Sequence, residues 1–207
     1  MKMVNELSQL IFPQRCIGCS QLGFLICSSC RTSWHPHIYK THIDNLEVTS
    51  SILYSPIAAR IIVAAKENNE KNAQDLLIEA LRNILNAYRG NIQTLTFVPI
   101  PSSKIAQRKR GRNFIKELCS QLELRYADIL FHERRVRDQS GLSAKERSKN
   151  LVGAFGVEKL PRIFGEIVLI DDVVTTGATL REARRALLAS GLRVSAAITA
   201  CVAQPLR

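Results

Sequence analysis

The sequence lacks any apolar run close to the length of a membrane-spanning helix, which needs about 20 residues. It also lacks the pattern of a secretory signal peptide, because the segment 1–13 has neither a long apolar core nor a cleavage site of small residues. Internal repeats and low-complexity tracts are missing as well. These absences argue against membrane insertion and secretion, and we expect a cytoplasmic protein.

Acidic residues are scarce: 18 Asp and Glu stand against 29 Lys and Arg, which gives a net charge of +11. An excess of positive charge indicates a polyanionic partner, although solvated loops are the simpler alternative. The excess is concentrated in two basic strips. The first consists of Lys104, Arg108, Lys109, Arg110, Arg112 and Lys116, and the second of Arg134, Arg135, Arg137, Lys145, Arg147 and Lys149.

Helical and extended patterns alternate along most of the chain. Apolar residues at helical spacing predict one helix at Ala73–Arg89, and a second helix is expected after a cap at Asn113. Strands separated by helices predict an α/β fold with a mostly parallel, doubly wound sheet. Further predicted elements are a helix at Ala178–Ser190, strands at Thr94–Ile100, Asp128–His132, Glu166–Ile170 and Leu192–Val202, and a loop at Arg134–Asn150.

Four of the six cysteines form two C-x-x-C pairs, Cys16 with Cys19 and Cys27 with Cys30. Each pair places two thiolates on one metal ion from a single turn, and two pairs complete a tetrahedron. We predict a structural Zn²⁺ site, with redox-active pairs or an iron centre as alternatives. The resulting interpretation is a zinc-ribbon-like module at residues 1–35, a linker with several histidines at 36–50 and the main domain at 51–207.

Other residues with possible chemistry are given simpler interpretations. Cys119 and Cys201 lie in apolar contexts, so we interpret them as buried side chains rather than nucleophiles. Trp34 and Phe24 suit stacking on nucleic-acid bases, but packing of the cysteine module against the main domain is an equally good interpretation.

Two adjacent acids, Asp171 and Asp172, follow the apolar segment Ile167–Ile170. Ligands on open α/β sheets bind beyond the carboxyl ends of strands, where two neighbouring carboxylates need partners. The hydroxyl groups of a ribose and a hydrated Mg²⁺ are suitable partners. The next segment then offers hydroxyl groups, a glycine and the first N–H groups of a helix to a phosphate. That segment comprises Thr175, Thr176, Gly177, Ala178 and Thr179, and an ordinary strand, turn and capped helix is the alternative interpretation.

The segment Val168–Leu180 closely resembles the signature of the type I phosphoribosyltransferases. Further matches are typical of the ComF family, a branch of that fold linked to bacterial competence, which also has a cysteine quartet. The matching residues are Val98-Pro99-Ile100-Pro101, Arg110-Gly111-Arg112-Asn113, Gln139, Leu142, Arg147, Asn150 and Gly153-Ala154-Phe155. The sequence departs from the family where Arg112 replaces a Phe, Phe114 a Gln and Val136 a Thr.

The resemblance implies a role for each of these segments. Asp171 and Asp172 would hold the 2′ and 3′ hydroxyls of 5-phosphoribosyl diphosphate, with Mg²⁺, and Thr175–Thr179 would hold its 5′-phosphate. By position, Ser102, Ser103 and Lys104 correspond to the loop that receives pyrophosphate, and the stretch Arg134–Lys149 to a flexible lid.

Three functions are compatible with this resemblance. The first is a competence factor that binds single-stranded DNA and works with other competence proteins, such as a helicase-like translocase. The second is an active phosphoribosyltransferase with an unidentified nitrogenous acceptor, and the third is a protein that binds phosphoribosyl diphosphate as a regulatory signal. For DNA, the implied contacts are Lys104, Arg108, Lys109, Arg110, Arg112, Arg134, Arg135 and Arg137.

Overall fold

The computed structural model describes residues 13–134, 146, 150–158, 163 and 165–204, and the structural statements below concern these residues. The strands are Tyr39–Ile43 (β1), Leu46–Leu53 (β2), Leu95–Pro99 (β3), Leu130–His132 (β4), Phe155–Val157 (β5), Glu166–Val174 (β6) and Val194–Val202 (β7). The helices are Ser28–Ser33 (α1), Pro56–Lys66 (α2), Lys71–Ala87 (α3), Lys104–Arg110 (α4), Phe114–Gln121 (α5) and Ala178–Ala189 (α6), with a 3-10 turn at Ile92–Thr94.

The main sheet has the strand order β1-β2-β7-β6-β3, and β4 and β5 form a separate antiparallel pair. Only β1 runs antiparallel to its neighbour, while β2, β7, β6 and β3 are mutually parallel. The fold is therefore the predicted α/β type with a mostly parallel sheet. No helix in the described part of the chain is both long and apolar enough to span a membrane.

Helices cover both faces of the main sheet. Successive side chains of β6 point to opposite faces, so this strand contributes to a core on each side. Val168 and Ile170 face α2, α3 and α5, and they share one core with the buried residues of these helices. Ile167 and Leu169 face α6 and share a second core with Leu180 and its neighbours on that helix. The interior strand β6 is thus buried from both sides, and the two acids lie near its carboxyl end.

Two local signals mark the start of helix α2. The Ser55 side chain accepts a hydrogen bond from the N–H of Ala58 at 3.1 Å, and Pro56 occupies the first turn, where its missing N–H has no cost. The buried residues of α2 recur every three or four positions, which directs one stripe of the helix against the sheet. The predicted cap at Asn113 is confirmed as well, because its side chain accepts from the N–H of Lys116 at the start of α5.

Three features differ from the sequence-based expectations. Most of the predicted linker 36–50 is occupied by β1 and the first half of β2, since Leu46 and Val48 alternate into the core and β2 pairs with β7. The helix α2 was not among the predicted elements. Strand β6 also continues through both acids to Val174, because Val173 and Val174 still pair with Cys201 and Val202.

Candidate functional site

Asp171 and Asp172 lie inside the last part of β6, and both are buried, with 9% and 2% of their surface exposed. The carboxylate of Asp172 is 2.5 Å from the ammonium group of Lys66, at the end of α2. The N–H of Asp172 donates to Oδ1 of Asp171 at 2.9 Å. The two acids therefore have different environments: one is paired with a cation, and the other is bound by the backbone of its neighbour.

These environments divide the charge between the two acids. Burial and the charge of Asp172 raise the pKa of Asp171 well above its ordinary value. Burial also opposes ionisation of Asp172, but the charge and hydrogen bond of Lys66 outweigh it, and the pKa of Asp172 lies below its ordinary value. For Lys66, burial favours the neutral amine, yet the two acids raise the pKa of the ammonium group. The ionised Asp172 beside a protonated Lys66 is accordingly the stable arrangement.

The threonine-lined loop follows β6 and leads directly into α6. Gly177 has φ of +73°, and a Cβ atom at this position would be 2.6 Å from Cδ1 of Ile43. Both observations explain why a glycine is needed here. The hydroxyl group of Thr176 accepts from the N–H of Ala178 at 3.2 Å. Gly177 occupies the cap position of α6 and has no side chain that could accept from the first amides of this helix, of which that of Ala178 is bound by Thr176.

Ser102 and Ser103 follow β3, which is the parallel neighbour of β6. The N–H of Ile100 donates to the carbonyl oxygen of Ile170 at 3.0 Å, so this loop leaves the sheet at the same edge as the two acids. The hydroxyl group of Ser103 accepts from the N–H of Ala106 at 3.2 Å and caps α4. The side chain of Lys104 lies outside the described part of the structure, so its contact with a ligand stays a prediction.

The first basic strip is not a uniform exposed surface. Arg110, with a side chain only 4% exposed, pairs with Glu67 at 2.6 Å. Arg112 donates to the carbonyl oxygen of Ala65 at 2.5 Å and also pairs with Glu117. Arg108, in contrast, is exposed. The guanidinium groups of Arg110 and Arg112 are thus engaged within the protein, and of the described side chains proposed to bind DNA in this strip, Arg108 is the accessible one.

The second basic strip is described only at its start. Arg134 is exposed and donates to the carbonyl oxygens of Val152 at 2.6 Å and Asn150 at 2.9 Å. The remaining predicted DNA contacts of this strip, Arg135 and Arg137, lie outside the described residues, as do Lys145, Arg147 and Lys149 and most of the predicted loop Arg134–Asn150. Their roles in DNA binding or as a lid stay predictions.

The four cysteine sulfurs of Cys16, Cys19, Cys27 and Cys30 all lie within 4.8 Å of one another. Thiolates at about 2.3 Å from a tetrahedral zinc ion are about 3.8 Å apart, so the cluster fits such an ion. Burial opposes ionisation of Cys16, but hydrogen bonds from the backbone at Cys27, Cys19 and Gly18 lower the pKa of its thiol to about 6. The cluster has the donor set and spacing of a metal site.

Trp34 and the two remaining thiols follow the simpler interpretations, whereas Phe24 does not pack into the core. Trp34 is completely buried in the core shared with α2 and α3, so it packs the cysteine module against the main domain. Phe24 is 54% exposed. Cys119 and Cys201 are fully buried, as predicted, and burial raises the pKa of the Cys119 thiol to about 12.

Lys66 is the site residue that the sequence did not indicate. It is 106 positions away from its partner Asp172, and it belongs to a helix that was not predicted. One local signal was available, namely the capping serine and proline at Ser55 and Pro56. Those residues predict the start of α2, but nothing in the sequence places its far end against β6.

Comparison with known proteins decides the family. Residues 66–206 match the family described as phosphoribosyl transferase domain. The chain belongs to this family. The matching range begins at Lys66 and includes both acids, the threonine-lined loop and the loop after β3.

Curated relatives confirm the resemblance to the ComF family. Competence protein F of Haemophilus influenzae is 36% identical over 103 residues, which cover 46% of this chain and 44% of the relative. Competence protein ComFC of Streptococcus pneumoniae is 29% identical over 120 residues, covering 57% and 53%. DNA utilization protein YhgH of Escherichia coli K12 is 34% identical over 99 residues, covering 45% and 43%. The chain spans about half the length of the curated relatives it matches.

Two solved structures align with most of the chain at low sequence identity and low TM-score. The adenine phosphoribosyl transferase of Trypanosoma brucei has a TM-score of 0.44 and 10% identity, with 81% of this chain and 87% of that chain covered. The orotate phosphoribosyltransferase of Aeropyrum pernix has a TM-score of 0.36 and 16% identity, with 82% and 77% covered.

Proposed function

We propose that this protein binds 5-phosphoribosyl diphosphate together with Mg²⁺ and handles single-stranded DNA as a competence or DNA-utilization factor. The observation that carries the proposal is the buried pair Asp171 and Asp172 near the end of β6, followed by a short loop in which Gly177 caps the start of α6. Paired acids and an anion-accepting turn are the two features that a phosphorylated ribose requires. The names of the relatives support the DNA-related part.

The chemistry of the ligand matches the order of the groups along the sheet edge. Vicinal ribose hydroxyls donate hydrogen bonds to carboxylates. The neighbouring ammonium group of Lys66 lowers the pKa of Asp172 and so favours the ionised carboxylate that accepts them. The hydroxyl groups and amides of Thr175–Thr179 would take the 5′-phosphate. The carboxylate oxygens and the diphosphate are ligands that suit Mg²⁺, which would neutralise the charge of the diphosphate when bound. Ser102 and Ser103, at the same edge, would take the diphosphate.

Isothermal titration with phosphoribosyl diphosphate and MgCl₂ tests the proposal. We expect the wild-type protein to bind and the double variant Asp171→Asn with Asp172→Asn to lose at least about tenfold in affinity, because each substitution replaces a carboxylate oxygen, an acceptor, with an NH₂ group and prevents the side chain from carrying a negative charge. Asp75→Asn, an exposed acid on α3, is the matched control and should bind like the wild type. Equal affinity of the double variant and the wild type would remove the acids from the site.

The DNA-related part needs its own measurement. Fluorescence anisotropy with a labelled single strand of mixed sequence, across a salt series, should show affinity that falls steeply as salt rises, since the implied contacts are to phosphates. The basic strips contain few aromatic residues, so binding should depend little on sequence. Affinity that is insensitive to salt would contradict a phosphate-contacting surface.

Membership of the phosphoribosyl transferase domain family favours one second candidate, an active transferase. In that reaction a nitrogenous nucleophile forms a bond to C1 of the ribose while the bond from C1 to the diphosphate oxygen breaks. Incubation with phosphoribosyl diphosphate, Mg²⁺ and a panel of nucleobases should then release pyrophosphate in a base-dependent manner. Release that is the same with and without every base would leave binding without transfer as the function.

A further inference from the structure

The two side chains of the ion pair between Lys66 and Asp172 differ in their exposure to solvent. The side chain of Asp172 is 3% exposed, whereas that of Lys66 is 26% exposed. A carboxylate that is buried this deeply is costly unless a cation and hydrogen bonds accompany it. Lys66 supplies both, from a helix that also reaches the surface.

The end of α2 is fixed by side chains from the first basic strip. The guanidinium group of Arg112 donates to the carbonyl oxygens of Ala65 at 2.5 Å and Lys66 at 3.4 Å. It also lies over the ring of Phe114, 5.2 Å from the centroid, and pairs with Glu117. A cation that binds the last carbonyls of a helix stabilises that end. The backbone of Ala65 and Lys66 is therefore held by Arg112, which lies just before α5, while the ammonium group of Lys66 reaches β6.

Few other charged groups act on this pair among the described residues. Asp171 lies on the same strand, and Arg110 approaches Lys66 from the end of α4 with a positive charge. The thiol of Cys201 on β7 is neutral, because burial and the negative charge of Asp172 raise its pKa. Lys66 is consequently the cation that compensates Asp172 directly.

We propose that Lys66 is a positioning residue, which holds the Asp172 carboxylate in the orientation that accepts the ribose hydroxyls, and that Arg112 holds Lys66 in turn. This role rests on the proposed binding of phosphoribosyl diphosphate. A carboxylate has about four acceptor positions, so an ammonium group at one oxygen leaves the others available to ligand hydroxyls. Lys66 acts through Asp172 and needs no contact with the sugar.

Isothermal titrations of Lys66→Met and Lys66→Arg with phosphoribosyl diphosphate and Mg²⁺ at neutral pH test the proposal. We expect Lys66→Met to bind at least about tenfold more weakly than the wild type and Lys66→Arg to recover part of the affinity. Arg112→Met should weaken binding in the same direction by a smaller amount. Lys71→Met, an exposed lysine at the start of α3, is the matched control and should match the wild type.

A crystal structure of the ligand-free Lys66→Met variant separates this proposal from the previous one. An Asp172 carboxylate that has turned away from its wild-type orientation supports the positioning role even if the wild type binds no phosphoribosyl diphosphate. A carboxylate that keeps its wild-type orientation overturns the role. So does a Lys66→Met variant that binds phosphoribosyl diphosphate as tightly as a wild type that binds it.

Discussion

Arg60 donates a 2.7 Å hydrogen bond from Nη1 to the carbonyl oxygen of Gly18, in the turn between Cys16 and Cys19. Arg60 belongs to α2, the helix whose last residue is Lys66. Ile57, one turn earlier on this helix, packs against the cysteine cluster. A single helix of 11 residues thus contacts the candidate metal site near one end and the candidate sugar-phosphate site at the other.

The first prediction concerns this attachment. Arg60→Met should leave the four thiols and their metal content intact but loosen the cysteine module from α2. The free energy that holds the cysteine module on α2 should fall by about 1 kcal/mol, because a charge-assisted hydrogen bond from a partly exposed side chain is lost. Limited proteolysis should then cleave within residues 14–31 faster than in the wild type, while the melting temperature of the main domain changes little. Arg82→Met on α3 is the control, and cleavage rates identical to the wild type in Arg60→Met would refute the attachment.

The second prediction concerns the glycine at the start of α6. Gly177→Ala should destabilise the protein by about 1–3 kcal/mol, because it adds both left-handed strain and a contact with Ile43. Gly191 also has a positive φ, of +81°, but a Cβ atom there would meet nothing within 4 Å. Gly191→Ala therefore measures the cost of left-handed strain alone. The difference in destabilisation between the two variants, measured by thermal melts, gives the cost of the contact with Ile43. The contact would be disproved if the two substitutions cost the same, or if adding Ile43→Val to Gly177→Ala recovered no stability.

The third prediction separates two arginines of the first basic strip. Arg108 is exposed, whereas Arg110 is buried against Glu67, so the same substitution should have different effects. Arg108→Met should reduce the log–log salt slope of single-stranded DNA binding by about 0.7 per lost phosphate contact, with an unchanged melting temperature. Arg110→Met should instead lower the stability by about 1–3 kcal/mol and leave the slope unchanged below the melting transition. The opposite assignment of the two effects would show that Arg110 turns outward to reach DNA.

The partners of Arg110 and Arg112 could not be predicted from the sequence. Local patterns predicted β6, α6 and the cysteine quartet, because each depends on residues that are neighbours in the chain. Whether an arginine binds a ligand or a carbonyl oxygen of α2 depends on which helix lies beside it, and this is a tertiary property. The basic strip therefore looked continuous in the sequence, although the structure turns Arg110 and Arg112 inward.

Lys66 and the first two strands were missed for the same reason. Strand β2 has Ser50 and Ser51 among its buried residues, and Ser50 is accommodated by a 2.7 Å hydrogen bond to Thr199 of β7. Such a polar strand resembles a linker until its partner is known. The pairing of β2 with β7 extends the sheet on the side of β7 opposite β6, and α2 follows from the end of β2. Lys66, the cation of the site, therefore lies on a helix whose position depends on β1 and β2, two strands with weak local signals.

The last prediction distinguishes a metal site from a redox site at the cysteine cluster. None of the six cysteines forms a disulfide, and Cys119 and Cys201 are fully buried. Because burial raises their pKa values, these two should not react with Ellman's reagent at pH 8 in the native protein. A zinc-selective chelator that spares Mg²⁺ should expose four reactive thiols and release one zinc ion per chain, while denaturant should expose all six. If the four thiols instead appear only after treatment with a reductant, and no metal is released, the cluster consists of disulfide-forming pairs and the metal assignment fails.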